Sequence, residues 1–215
     1  MILLYLIFIY LIYHFINVIF KIYTKNKSLL KNKLNNKIKQ IKLKCNNLNY
    51  QPLIWNQRNN NIRQYNNCYA YAMRDLLYNR DKKPQPGDKC TNKVSLKINN
   101  NYSCDNIMAN IKCDYAYDIL ELDHNNKCPC DYYKVSLFLD NSNPNKDYHF
   151  YRYDNKYWSH KPGNSKATNL DASNKLINDP YIADRNYKNT KNKNNYTIPC
   201  KSFCKKKNIN IYLDK

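Results

Sequence analysis

Residues 147–163 read Asp147-Tyr148-His149-Phe150-Tyr151-Arg152-Tyr153-Asp154-Asn155-Lys156-Tyr157-Trp158-Ser159-His160-Lys161-Pro162-Gly163, two aromatic-rich runs on either side of Asp154-Asn155. Asn and Asp tolerate the positive φ of a tight turn, so the spacing predicts a β-hairpin with a two-residue loop. That loop sets 153 against 156, 151 against 158 and 149 against 160. Directly opposed side chains share a face, with Cβ atoms roughly 4.5–5.5 Å apart. His149 and His160 are then neighbours. Two imidazoles so placed are a general base with its orienting partner, two metal ligands, or a coincidence, and the hairpin alone leaves all three open.

The rest of the chain narrows the choice. Nine Cys are an odd number, so at least one thiol escapes any intrachain disulfide framework. Their spacing lacks the paired C-x-x-C of a zinc ribbon; His124, Cys128 and Cys130, or Cys200 with Cys204, form at most an irregular set. No metal and no cofactor are therefore expected. The Lys/Asn/Ile/Tyr bias is what an AT-rich genome produces, and large viruses of amoebae are among the candidates. Part of the net charge of +20 has that origin. The remainder favours an anionic surface. Without an RNA-binding signature or a regular basic stripe, nucleic acid ranks behind membrane as a partner.

Residues 1–20 carry no charged side chain, and about 20 apolar residues span a hydrocarbon core. No basic stretch precedes the run and no small-residue cleavage site follows it, so an uncleaved transmembrane anchor over 1–23 is expected rather than a signal peptide. Lys21, Lys25, Lys27, Lys31, Lys33, Lys37 and Lys39 come next. The positive-inside rule keeps such a flank cytosolic, which places the main domain in the cytosol with reduced thiols, on a host or virion membrane if the chain is viral. Leu30, Leu34, Ile38 and Ile41 fall at helical spacing, suiting either a basic helix on anionic lipid or a solvated stalk. Asn-rich residues 45–63 read as a linker.

Tyr69, Ala72, Met73, Leu76 and Leu77 then recur at i, i+3, i+4, i+7 and i+8, predicting an amphipathic helix with Asn67 as N-cap. Cys68 falls in its first turn, where free N–H groups and the helix dipole stabilise a thiolate. Further on, Ser103 is positioned to cap a helix bearing Ile107, Met108 and Ile111. Residues 115–122 read as another helical piece, 134–140 as a strand, Asp179-Pro180 as the start of a short helix, and Ile209, Ile211 and Leu213 as a last strand.

A Cys opening a helix, followed by strands bearing His149 and then His160, resembles the papain-like enzymes and most closely the NlpC-type cysteine peptidases and amidases. The resemblance covers roughly residues 64–163. Residues 67–72 and 158–163 are also similar to segments of bacterial and viral proteins with such a core. The resemblance implies an α+β fold, a helix packed on an antiparallel sheet, with Cys68 as nucleophile, His149 as base and His160 as orienting residue. Asp154 or Asp171 is the alternative in that last role. Family members often have Asp before the nucleophile and small residues after it, whereas Asn67 and Tyr69 stand here. Asn66, Asn67 and Gln64 are the candidate oxyanion donors beside the Cys68 N–H. The expected organisation is an anchor over 1–23, a basic juxtamembrane helix and linker over 24–63, a papain-like domain over 64–186 and a basic tail over 187–215. The expected function is a membrane-anchored cysteine hydrolase or acyltransferase acting on a peptide or acyl substrate. The alternative is a non-enzymatic single-pass protein with a basic scaffold domain.

Overall fold

The strongest strand pattern in the chain, residues 132–140, becomes the centre of a five-stranded antiparallel sheet. In a computed structural model, residues 2–44, 48–79, 81–96, 102–142, 146–188 and 193–208 are described. The strands are β1 Ile119–Leu122, β2 Tyr132–Asp140, β3 Asp147–Asp154, β4 Tyr157–Ser159 and β5 Ile198–Lys206. Their order is β1-β5-β2-β3-β4, with every neighbouring pair antiparallel. The fold class is thus α+β. Residues expected to form a tail from 187 onward instead supply β5, a strand inside the sheet; the expected strand at 209–213 lies outside the described residues. Charge and Asn content misled here, because Phe203 and Cys204 are fully buried between two partner strands.

Of the helices, α1 runs Ile2–Lys44, α2 Pro52–Trp55, α3 Ile62–Tyr65, α4 Cys68–Met73 and α5 Cys104–Tyr115. The chain divides into two units, Met1–Cys45 and Asn46–Lys215. The first is one helix that runs without a break through the boundary expected at residue 23. Its described side chains from Tyr10 to Tyr23 include many exposed aromatic and aliphatic groups. Among the described residues, no helix is long and apolar enough to cross a membrane. The side chains of residues 1–9, which begin the expected spanning run, lie outside the described set.

The second unit is organised on α4. Its N-cap is Asn67, whose side chain accepts the Ala70 N–H at 3.1 Å. A six-residue helix is too short to persist alone, and burial sustains this one, since all six residues from Cys68 to Met73 are buried. Cys68, Tyr69, Ala72 and Met73 pack with Tyr148 and Phe150 of the sheet. Ala70 and Tyr71 pack with Trp55, Ile62 and Leu76. Residues 52–62 are therefore a wall of the domain rather than a linker. The helix also stops short of the expected Leu77: Arg74 turns left-handed at φ 55°, and Leu77 bonds the Asn66 side chain through its N–H (3.3 Å) and its C=O (3.0 Å).

α5 follows the expectation for Ser103, whose hydroxyl accepts the Asn106 N–H at 3.2 Å, with Ile107, Met108 and Ile111 buried. Its continuation does not. Ala116 adopts positive φ, and after a short 3-10 turn the chain becomes β1, pairing with β5. The helix expected at Asp179-Pro180 is one turn, closed by Ala183 N–H to Asp179 O at 3.1 Å.

Disulfides close the unit. Cys90–Cys113, Cys104–Cys200 and Cys128–Cys204 are bonded, and Cys130 is disulfide-bonded as well. These replace the reduced thiols expected of a cytosolic domain, and they remove Cys128, Cys130, Cys200 and Cys204 from any zinc set. Cys68 is the free cysteine among the described residues.

Candidate functional site: a buried thiol beside a histidine relay

The hairpin forms with a shifted register. Asp154 pairs with Tyr157, Tyr153 with Trp158 and Arg152 with Ser159, so the loop is Asn155-Lys156. Asn155 takes the positive φ, 63°, and the Lys156 N–H bonds Asp154 O at 2.7 Å. Asp154 is held out of the turn by its carboxylate, which accepts from Arg152 Nε (2.8 Å), from Tyr71 Oη (3.2 Å) and from Ser159 Oγ. Each partner moves by two residues, and a shift of two leaves every side chain on its face. His149 and His160 therefore still meet, as diagonal rather than directly opposed neighbours, with ring centroids 4.9 Å apart.

Their hydrogen bonds fix both tautomers. His160 Nε2 lies 3.0 Å from the Leu170 carbonyl, which can only accept, so Nε2 carries the proton. Nδ1 of the neutral His160 ring is then an acceptor, and His149 Nε2, 2.7 Å away, must donate to it. In a neutral His149 this leaves Nδ1 with a free lone pair, the form a general base requires. Burial holds both rings neutral: His160 is pushed down to about 4, and His149 falls well below its ordinary value through burial and its neighbour His160. Tyr196 stacks on His149 at 4.8 Å, and Tyr151 lies 5.1 Å from the same ring. Asp171 contacts its own loop, accepting the N–H groups of Ser173 (2.9 Å), Lys175 (2.9 Å) and Asp184 (3.1 Å), and Asp154 serves Arg152. Neither takes the place of His160 against His149.

Cys68 approaches the same strand from the helix side. Beyond Ser159 the chain leaves β3, and the N–H and C=O of His160 bond Thr168 instead, each at 2.8 Å. The thiol sits at the strand edge so vacated, donating to the Tyr148 carbonyl at 3.9 Å, one residue from His149. Tyr148 and Phe150 point toward α4 and Cys68, while His149 and Tyr151 point to the other face of the sheet. The structure thus joins the two histidines directly, with Cys68 against the backbone that flanks them. The helix start does not activate the thiol at rest. At 5 % exposure it is pushed up to about 12, first by burial and then by the Asp147 carboxylate.

The expected oxyanion donors fare differently. Asn67 spends its carbonyl on the cap and its amide on Pro84 O at 2.8 Å, and Asn66 is consumed between Ile62 O and Leu77. Both are framework, not free donors. Gln64 is exposed on α3. Three residues near the thiol were not selected from sequence. Asp147 is raised by burial while accepting from Tyr196 Oη at 2.8 Å, and Lys161 is fully buried. Tyr196 sits in the Asn-rich stretch taken for a tail. In a chain with 36 Lys and Arg and 22 Tyr, neither a Lys nor a Tyr stands out by type. A cavity of about 260 Å³, lined by Gln85, Val94, Leu96 and Tyr102 among others, adjoins this region. Gln85 Oε1 accepts the Tyr148 hydroxyl at 2.5 Å.

No protein-family model matches the chain, and no solved structure matches it. Over 43 residues, 20 % of its length, the chain is 58 % identical to insoluble matrix shell protein 1 of Ruditapes philippinarum, and the match spans 29 % of that protein.

Proposed function

We propose that the disulfide-closed unit is a papain-like thiol hydrolase or acyltransferase acting on an amide or ester carbonyl. The observation that carries this reading is the relay from the Leu170 carbonyl through His160 to His149. It leaves a base-form Nδ1 on the strand that the sole free cysteine of the described residues abuts. In the reaction, displacement of the β3-edge side chains brings Cys68 Sγ, which rests on the helix side of the sheet, to His149 Nδ1 on the other face. The thiol gives its proton there and attacks the carbonyl carbon. The leaving amine or alcohol takes that proton back, and water or an acceptor amine then releases the acyl group from sulfur. His160 keeps the ring oriented and accepts from its Nε2–H throughout. The resting site is closed, so substrate enters by displacing the side chains over the β3 edge, with the Tyr148–Gln85 contact nearest the adjoining cavity.

The disulfides favour an oxidising compartment, against the cytosolic placement implied by the Lys flank. The apolar start of α1 with Lys21 to Lys39 serves as the membrane-associating segment. A second reading is favoured by the burial of Cys68: a basic, cross-linked scaffold domain of a matrix or membrane surface, in keeping with the short likeness to a shell matrix protein.

The readings part on labelling of the full chain by a thiol-reactive peptidyl or acyl probe, followed by mass mapping. The hydrolase reading expects an adduct at Cys68, none in Cys68→Ala, and a rate lower by about 10²-fold or more in His149→Ala. Equal labelling of wild type and His149→Ala would remove the dyad, and no adduct at all with the disulfides intact would favour the scaffold.

A further inference from the structure

The sequence contains three Asn-x-Ser/Thr triplets, at Asn26, Asn101 and Asn195. Each has the form of an acceptor for an N-linked glycan. A chain this rich in Asn produces a few such triplets by chance, so their surroundings decide between them. Asn26 lies inside α1, with the Ser28 hydroxyl turned back on Lys25 O at 2.8 Å. Asn101 lies outside the described residues. Asn195 stands just before β5, and there the fold presents the triplet to solvent. The Thr197 N–H bonds Asn195 O at 2.9 Å, closing a three-residue turn around Tyr196. The Asn195 N–H is held by Asp140 Oδ2 at 2.6 Å, and the same residue bridges to Asn186. Tyr196 is the member that turns inward, 6 % exposed, with its ring stacked on His149 and its hydroxyl on Asp147 at 2.8 Å. On either side of it, Thr197 is exposed and Asn195 partly exposed. Neither the Asn195 amide nor the Thr197 hydroxyl has a hydrogen-bond partner among the described residues. The contrast with other Asn is plain: Asn66, Asn67, Asn110 and the adjacent Asn194 all spend their amides inside the fold.

We propose that Asn195 carries an N-linked glycan, on the outer side of the turn that anchors Tyr196 against His149. The compartment agrees: such glycans are added where disulfides form, and Cys104–Cys200 fastens the chain just beyond the triplet to α5. In the transfer, Asn195 Nδ2 bonds to the anomeric carbon of a lipid-linked oligosaccharide diphosphate. The C–O bond to the diphosphate breaks, the lipid diphosphate leaves, and the amide gives up one proton. Because that amide holds nothing in the fold, the glycan is carried without the loss of a native contact. The modification places the disulfide-closed unit on the side of a membrane away from the cytosol, in line with its disulfides and against the Lys21 to Lys39 flank. The inference does not depend on the thiol chemistry.

The test is expression of the full chain in a eukaryotic cell, with its own first helix as the targeting segment, then peptide-N-glycosidase treatment in heavy-oxygen water and peptide mapping. Wild type should collapse to a faster-migrating band, with Asn195 converted to isotope-labelled Asp. Asn195→Gln and Thr197→Ala should each lose that glycopeptide, whereas Thr197→Ser should keep it. Asn195 recovered unmodified from wild type would overturn the assignment, whatever the occupancy of Asn26 and Asn101. The wild-type map needs no variant to fold. Failure of the acyl probe to label Cys68 leaves this map untouched, so the two readings fail separately.

Discussion

Replacing Cys104 and Cys200 together by Ala is expected to lower the thermal midpoint of the domain by about 10–15 °C. The bond joins the first residue of α5 to β5 across 96 residues of sequence. In the chain-entropy account, with Cys128–Cys204 still closed, this bond closes a shortest loop of about 30 residues, worth about 3–4 kcal/mol in the unfolded state. For a domain of this size each kcal/mol moves the midpoint by about 2–4 °C. Both half-cystines also pack on the main core, so the loss is not offset by relief of crowding. Circular-dichroism melts without reductant measure the effect. A midpoint within about 3 °C of wild type would mean that the β1-β5-β2 ladder alone fixes β5.

Asp154→Ala is expected to cost about 3–5 kcal/mol, because it leaves a buried guanidinium without its carboxylate. Arg152 and Asp154 are 2 % and 5 % exposed. Arg152 also donates to Tyr71 O at 2.8 Å and stacks over the Tyr71 ring at 4.0 Å, so the unpaired charge has no route to water. Exchange of both partners for apolar residues, Arg152→Met with Asp154→Leu, should recover most of the loss, since it is the orphaned charge that is expensive. Urea unfolding of the single and double variants decides this; equal destabilisation in both would place the cost in packing instead. The same carboxylate sets the hairpin register, so the single variant should also loosen the β3–β4 turn.

That register shows which parts of the fold the residue pattern could carry. The alternation of aromatics in 147–160 placed His149 and His160 on one face, and a two-residue shift could not undo it. The shift itself came from a buried partner, Arg152 and Tyr71 on Asp154, which no local turn rule contains. Asn67 was readable as a cap and Ser103 likewise, because capping is a matter of one side chain and a nearby N–H. What capping does to Cys68 was not readable: the helix start favours a thiolate, but burial against Tyr148 and Phe150 outweighs a dipole from six residues. The disulfides were legible only as an odd count. Their pairing, between residues as far apart as 76 and 96 positions, depends on the sheet order. β5 was hidden for the same reason, its Lys-rich sequence resembling a solvated tail while Lys205 is buried on Asp118 at 3.0 Å.

The most direct test of the central claim is the protonation of four ring nitrogens, read from two-bond ¹H–¹⁵N correlations of the imidazoles near neutral pH. The relay predicts His160 protonated at Nε2 with Nδ1 bare, and His149 protonated at Nε2 with Nδ1 bare. A His149 ring protonated at Nδ1, or an imidazolium at either position, would contradict it.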